Sequence, residues 1–544
     1  MRLNQQTTQD VPFPIVGSST FGRYPKISPS KTYNMIISDN WLVPYAGHEK
    51  KILTSDSSQG RGLFTSVRSG KMFFVANDDV FLIDSALDHT SVGTLETTAG
   101  DVFIAENNAS QIAICDKKNI YIYDYSPTGT GLTKVNTSFT PDYVSFQDGY
   151  FIAGVLGSRE WRLSDPNNGL SWKDTPDVIG NLQTKPDTVV ACVPAPGRGG
   201  QLYIMGNTVT EVWMDVGAQL FPYQRTNAFN IDYGCANAAT IAAGDTFIVW
   251  LGVNEKSGLA IMYSTGGDVE QISSDGINFQ LANLKNPTNA YGFLFKQDGH
   301  LFYQLTFPDF RDNLTLVYDF NTKKFFHLCD EKMNYHIAKR ISFYNDNYYF
   351  ISLKDGHIYE MNSEFTTYDG EEIPRIRMAD SFRLPDQSMF VINNFSFILE
   401  QGNPRSQQFT PLQQYKGLIG SSTDFPARDE VNIGDYFNIT NVVTDNYTPA
   451  TNTGKSYVSG EKIVWNGADW ALVNETEAAV DLSVSRDGGE VFSSNIRMNL
   501  NKQGSRINKF ILWGLGAANE FYPQLRFWGV GRFVVSNGLL SIYK

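Results

Sequence analysis

The sequence predicts an all-β chain: a β-propeller of six to eight blades, then a C-terminal β-sandwich-like region carrying an inserted small β-module. Three observations predict it. Short runs rich in Val, Ile, Phe and Tyr recur along the whole chain, which is how strands are written. Many of these runs are paired around reversals of Asn, Asp, Gly or Lys, as hairpins are. No long segment places apolar residues at i, i+3, i+4 and i+7, so no long amphipathic helix is expected.

Residues 1–60 are expected to be an N-terminal segment, partly extended. The start, MRLNQQTTQD, has no basic stretch followed by an apolar run and so does not read as a signal peptide. From residue 61 to 365 the propeller pattern takes over. Lys71 to Asp84 reads KMFFVANDDVFLID, and the pattern returns from Gln111 to Asp124 as QIAICDKKNIYIYD. Further copies begin near Gly149, Gly200, Gly244, Gly299 and Asn345. Their spacing of roughly 40 to 50 residues is the period of a four-stranded blade. An array of β-sandwiches is the rival architecture. Continuously apolar runs such as Phe247 to Trp250 suit buried inner strands.

Near residue 366 the texture changes. Residues 366–403 and 475–544 are expected to form one C-terminal β domain, with strands at Arg375–Ala379, Phe390–Glu400 and Phe510–Gly516. Residues 404–474 read as an insertion, polar at first and then compact, with Gly460 to Trp470 written GEKIVWNGADW. Asn466-Gly467 is a type I′ turn signal between aromatic strands.

Composition narrows the function. At 544 residues the chain exceeds the size of one growing core. Hydrophobic residues make up 42% and charged residues 19%, as in folded proteins. The net charge is −13 with no Lys/Arg cluster, which argues against gripping DNA phosphates. It is compatible with a surface that DNA slides past. Cys115, Cys192, Cys235 and Cys329 are far apart and form no CxxC pair, so neither zinc nor a disulfide framework is suggested. No run of eighteen apolar residues is present, so no membrane helix is expected. These features place the chain in a reducing cytosol, or leaving it by lysis.

Catalysis needs a constellation of groups, and none is legible. GxSxG, HExxH and a phosphate-binding loop ending in Lys-Ser/Thr are all missing, and Gly197 to Gly200 reads as a loop. His48, His89, His300, His327, His336 and His357 show no ligand spacing. His300 and His357 follow Asp-Gly turns and read as structural. Ser485 to Phe492, SRDGGEVF, fits the Asp-box of glycosidase propellers with Phe in place of Trp. That box is a turn-stabilising device rather than a catalytic one. No catalytic, cofactor-binding or metal residues are assigned, and no cofactor is expected. Trp213, Trp250 and Trp513 are read as core residues. Arg225 is read as a buried salt-bridge or interface arginine, and Trp465 and Trp470 as a small core or an exposed sugar platform.

Specific wording adds a resemblance. Residues 202–213 read LYIMGNTVTEVW, followed by Phe221 to Arg225 (FPYQR), Tyr233 to Asn237 (YGCAN) and Val249 to Gly252 (VWLG). Then come Gln271 to Ser274 (QISS), Asp298 to Pro308 (DGHLFYQLTFP), Tyr318-Asp319 and Thr322 to His327 (TKKFFH). Tyr33-Asn34 and Gly157 to Trp161 precede the series, and Ser485 to Gly489 and Ile511 to Gly516 follow it. In that order these resemble the packaged-DNA stabilisation proteins of short-tailed phages, also called tail-nozzle or head-closure proteins. The sequence departs from them at Lys502 to Asn508, KQGSRIN, where a different local turn is expected, and in the insertion.

The resemblance implies a virion structural protein without catalysis. It implies a ring of copies, six-fold in known relatives, below the portal and its adaptor, with spike, fibre or plug proteins around and below. Such a ring continues the DNA channel, passes double-stranded DNA without sequence-specific binding, and retains packaged DNA until ejection. It implies assembly in the host cytoplasm. A carbohydrate- or receptor-binding tail protein is the alternative, with a propeller glycosidase as the second.

Overall fold

The computed structural model describes residues 8–23, 30–52, 59–196, 199–226, 230–266, 269–401, 414–427, 430–432, 435–445, 456–457, 459, 462–465, 470–472, 479–499, 508–528 and 533–543. The expected Asn466-Gly467 turn and most of Lys502 to Asn508 lie outside them, as do Gly197 and Arg198.

Seven four-stranded sheets are built from residues 47–362. Their innermost strands touch in sequence and the seventh returns to the first, which makes a seven-bladed propeller. Six of these inner strands are Gly60–Ser66, Phe103–Glu106, Pro141–Gln147, Val189–Pro194, Tyr291–Gln297 and Ala338–Tyr344; that of the fifth blade is split into Gly234–Cys235 and Ala242–Ala243. Alternating short turns and apolar runs produce each blade, because every inner strand is covered on both faces by neighbouring blades. An eight-residue helix, Asp275–Ala282, capped by Ser274, joins the fifth blade to the sixth. It is too short to have left a periodic signal.

The ring is closed by sequence-distant strands. The seventh blade takes three strands from residues 338–362 and its outermost from Gly47–Ile52, antiparallel to Ile358–Asn362. Four inner strands carry a bulge at the same position, at Arg61, Asp142, Val190 and Lys339. A bulge re-aims one side chain, and two of these chains act as staples. Arg61 donates to the carbonyls of Gly100, Asn77, Thr97 and Ala99 and to Thr97 Oγ1, at 2.6–2.8 Å, tying the first blade to the link leading to the second. Lys339 donates to the Gly60 carbonyl at 3.1 Å and sits 2.9 Å from Asp101, so the seventh blade grips the first two.

The described residues between 8 and 52, expected as part of a partly extended segment ahead of the propeller, pair with the sixth and seventh blades and with both sandwich sheets. Lys31–Tyr33 lies between the outer strand of the sixth blade, which it meets in parallel at His327, and Arg375–Met378, with which it is antiparallel. The blade sheet thereby runs on through Tyr522–Trp528, Ala479–Ser485 and Ile496–Asn499. A second sheet holds Gln9–Phe13, Gly538–Tyr543, Phe390–Gln401, Phe533–Val535, Trp41–Pro44, Met35–Ser38 and Asn508–Ala518. The two sheets enclose one core, in which Phe13, Phe395 and Phe521 meet edge-to-face at 5.4–5.6 Å. The short runs at residues 31–44 carry no mark of pairing with strands several hundred residues away.

The joint between propeller and sandwich is held by buried polar groups. Asn34, left-handed at φ 54°, donates from its backbone to His327 O, from its amide to Pro374 O at 2.9 Å, and accepts from Cys329 N at 2.9 Å. Arg377 donates to Ile15 O, Ser18 O, Ser30 Oγ and Thr32 Oγ1. His327 is stacked between Phe21 and Tyr33, and its Nδ1 lies 2.8 Å from Ser19 Oγ. The small module between residues 414 and 472 has its own core of Phe437, Tyr457, Ile463, Trp465 and Trp470.

Burial pushes the His327 imidazolium pKa down to about 3, against about 6.5 in an unfolded chain. The unfolded state therefore takes up a proton below about pH 6.5 that the folded state refuses. Stability from this residue is complete above that pH and is lost as pH falls toward 3, by up to about 1.4 kcal/mol per pH unit. Urea midpoints measured at about pH 7 and about pH 4.5 should fall less in His327→Gln than in the native chain.

Candidate functional site

The four cysteine thiols are held protonated by burial. The thiols of Cys115, Cys235 and Cys329 are pushed up to about 12, and that of Cys192 also rises. All four cysteines are free and buried. Among the described residues no cluster of three or more His, Cys, Asp or Glu could hold a metal ion. His300 is bound on both nitrogens, to Asp319 Oδ2 at 3.0 Å and Ser38 Oγ at 3.2 Å, and so links the sixth blade to the N-terminal strands. The His357 backbone closes an Asp355 turn.

The Ser485–Phe492 stretch is a turn, as its wording suggests. Asp487 Oδ1 accepts from Ser485 Oγ at 2.6 Å and from the N–H groups of Glu490 and Val491, while Ser485 Oγ accepts from Gly489 N. Gly488 and Gly489 take φ of 76° and 89°, where a side chain would be strained. The turn borders a cleft of about 500 Å³ against the sixth blade, lined by Tyr33, His327, Cys329, Met333, Tyr522 and Glu490 among others. Its histidine is neutral and its cysteine is protonated at neutral pH, so the pair offers neither an acid nor a nucleophile.

The Thr210–Trp213 wording also has a structural cause. Glu211 is fully buried and accepts from Gln183 N, Thr184 Oγ1 and Trp213 Nε1 at 2.6–3.0 Å. Arg225 lies 3.6 Å from it and is part-exposed, which makes it a salt-bridge arginine on the fourth blade. Trp213 and Trp250 are core residues, Trp213 edge-to-face with Trp161. Trp465 and Trp470 are buried against each other, so they form a core and not a sugar platform.

Trp513 overturns its expectation: it is 65% exposed. The run Phe510-Ile-Leu-Trp513 is apolar at every position, so it has no phase from which to read the inner face. The sandwich core takes Phe510 and Leu512, and period two sends Ile511 and Trp513 outward. They do not stand alone. In register across the sheet, Ile511 lies opposite Ser396, which lies opposite Leu539, opposite Pro12. Ile398, also exposed, is one step along on the same face. Ile511, Trp513, Ile398 and Leu539 thus share the outer face of one sheet, interspersed with Ser396, Asn394 and Lys509. The strand that carries Ile511 and Trp513 is paired on one side only, among the described residues. Gly514 and Gly516, at φ 69° and 81°, bend that edge, and Arg486 donates to the Leu515 carbonyl.

With this architecture in view, the family described as bacteriophage P22 Gp10, beta-propeller, a phage stabilisation family, matches residues 31–364. The chain belongs to this family. It is a phage structural protein of the virion. The matched span begins at the strand that bridges to the sandwich and ends after the seventh blade. No curated protein matches the chain. Similar solved structures include a streptogramin B lyase (14% identity, TM-score 0.40, covering 58% of this chain and 98% of that one). Others are a catalytically inactive virginiamycin B lyase from Staphylococcus aureus with quinupristin (12%, 0.39, 58% and 99%) and the N-terminal domain of Nup159 (9%, 0.38, 60% and 96%). Among the described residues no helix is long and apolar enough to cross a membrane.

Asp487→Ala removes three hydrogen bonds from an exposed turn. It should lower the urea midpoint and leave the circular dichroism spectrum of the native state unchanged.

Proposed function

We propose that this chain is a tail-nozzle subunit: copies form a six-fold ring below the portal and its adaptor. The ring continues the DNA channel and retains packaged DNA until ejection. Membership of the stabilisation family across residues 31–364 carries this reading. The exposed Ile511, Trp513, Ile398 and Leu539 on the outer sandwich face support it, because a rigid subunit in a closed ring needs a face committed to its neighbour. We assign that face to contact with the adjacent copy. Spike, fibre or plug proteins occupy other surfaces around and below, and the subunits assemble in the host cytoplasm without membrane insertion.

The net charge of −13 suits a channel that repels the DNA backbone and releases it freely. No catalysis is assigned. The glycan-binding alternative loses its main support, since Trp465 and Trp470 are internal.

Antibody-gold labelling of intact virions should concentrate at the tail vertex, and protein found only in the soluble lysate would overturn the reading. Trp513→Glu should fold as the native chain does, yet enter virions at least about 30-fold less, the loss expected of a buried interface tryptophan.

A further inference from the structure

The tip of the fourth blade carries apolar side chains that its fold does not need. The connection between the third and fourth strands of a blade is a surface turn. Four of these turns open with one device, an aspartate side chain that accepts from the backbone N–H two residues on. Asp84 accepts from Ala86 N, Asp124 from Ser126 N, Asp215 from Gly217 N and Asp319 from Asn321 N, all at 2.8–2.9 Å. Where the other three turns hold a large apolar side chain, it packs back on a core, as Leu87, Tyr125 and Phe320 do.

The fourth blade writes the same turn as Asp215-Val-Gly-Ala-Gln-Leu-Phe-Pro222. Phe221 packs against Trp161 and Trp213, but Leu220 stands 82% exposed and Val216 50%. The turn is anchored at both ends: Val216 N donates to Pro222 O and Asp215 N to Gly200 O, each at 2.8 Å. A leucine held out in water on an anchored turn has little conformational freedom left to lose when something covers it.

The surface beside this tip is acidic. Asp148, in the turn between the first two strands of the third blade, and Asp165, just after that blade's third strand, share one neighbourhood with Asp215. Burial, then Asp215 and Asp165, raise the Tyr150 hydroxyl pKa, and burial, then Asp215, raise that of the Asp148 carboxyl. The cations beside them are engaged within the chain: Lys173 pairs with Asp165, and Arg225 with the buried Glu211.

An apolar tip with acidic neighbours selects its partner by chemistry. It repels a DNA backbone and an anionic membrane surface alike. A second copy of this chain is a poor match, because the chain has a net charge of −13 and no Lys/Arg cluster. What fits is a different protein in which Lys and Arg surround an apolar pocket.

We propose that the tip of the fourth blade docks another protein of the particle, with Leu220 and Val216 seated in an apolar pocket and Asp148 and Asp215 facing its basic rim. This site is distinct from the sandwich face assigned to the adjacent copy. It rests on the chain's place in the virion and not on its position in a ring.

Leu220→Asp leaves the hydrogen bonds of the turn in place, and the variant should enter virions at the native level. Those virions should lose one other protein by at least about 10-fold, as expected when an apolar anchor is removed. In virions carrying photoreactive p-benzoylphenylalanine at position 220, ultraviolet light should link the chain to that same protein, at a segment rich in Lys and Arg. An unchanged protein composition of Leu220→Asp virions would overturn the proposal, as would a crosslink to a second copy of this chain or to an acidic segment. Loss of the folded, soluble variant itself from virions would also overturn it, because position 220 would then hold the chain's own place in the particle.

Discussion

The constraint on which the rest of the structure depends is the placement of residues 31–52. This short stretch completes both units at once. Lys31–Tyr33 makes the sixth blade continuous with a sandwich sheet, Met35–Pro44 joins the opposite sandwich sheet, and Gly47–Ile52 closes the seventh blade. An open propeller exposes two strand edges, and an unclosed sandwich exposes a core of phenylalanines. Neither unit is finished without the other's N-terminal strands, so the two are one mechanical body. Its formation waits on contacts more than 300 residues apart, which marks the fold as slow to close.

Polar groups, more than apolar ones, specify this junction. Apolar burial holds each blade and the sandwich core, but it is non-directional. Asn34, Arg377 and Ser19 with His327 fix the relative placement of strands because their hydrogen bonds are directional and buried. The wording at Tyr33-Asn34 and Thr210–Trp213 likewise holds structural hydrogen bonds.

Much of this was legible in the sequence, for identifiable reasons. Blades were visible because each hairpin carries its own turn residues and its own pair of apolar runs, as at Lys71–Ala76 and Asp79–Ile83. The Ser485–Asp487 turn was visible because its hydrogen bonds are local. What escaped was either non-local or without phase. Nothing in Gly47–Ile52 announces a partner at Ile358–Asn362, since pairing of distant strands leaves no mark on spacing. Trp513 was read as core because a run apolar at every position does not say which side faces in. The packing of His48 against His336 and Tyr368 was invisible for the first reason: three residues drawn from separate stretches meet only in the folded chain.

The central claim is that this is one rigid subunit whose outward sandwich face is committed to a neighbour in a virion ring. A cryo-electron microscopy reconstruction of the tail vertex tests it most directly. The account predicts closed-ring density into which the propeller and sandwich fit together without rearrangement, with Ile511 and Trp513 buried against the next copy. Density for the chain with that face open to solvent, or with propeller and sandwich separated at Asn34, would contradict it.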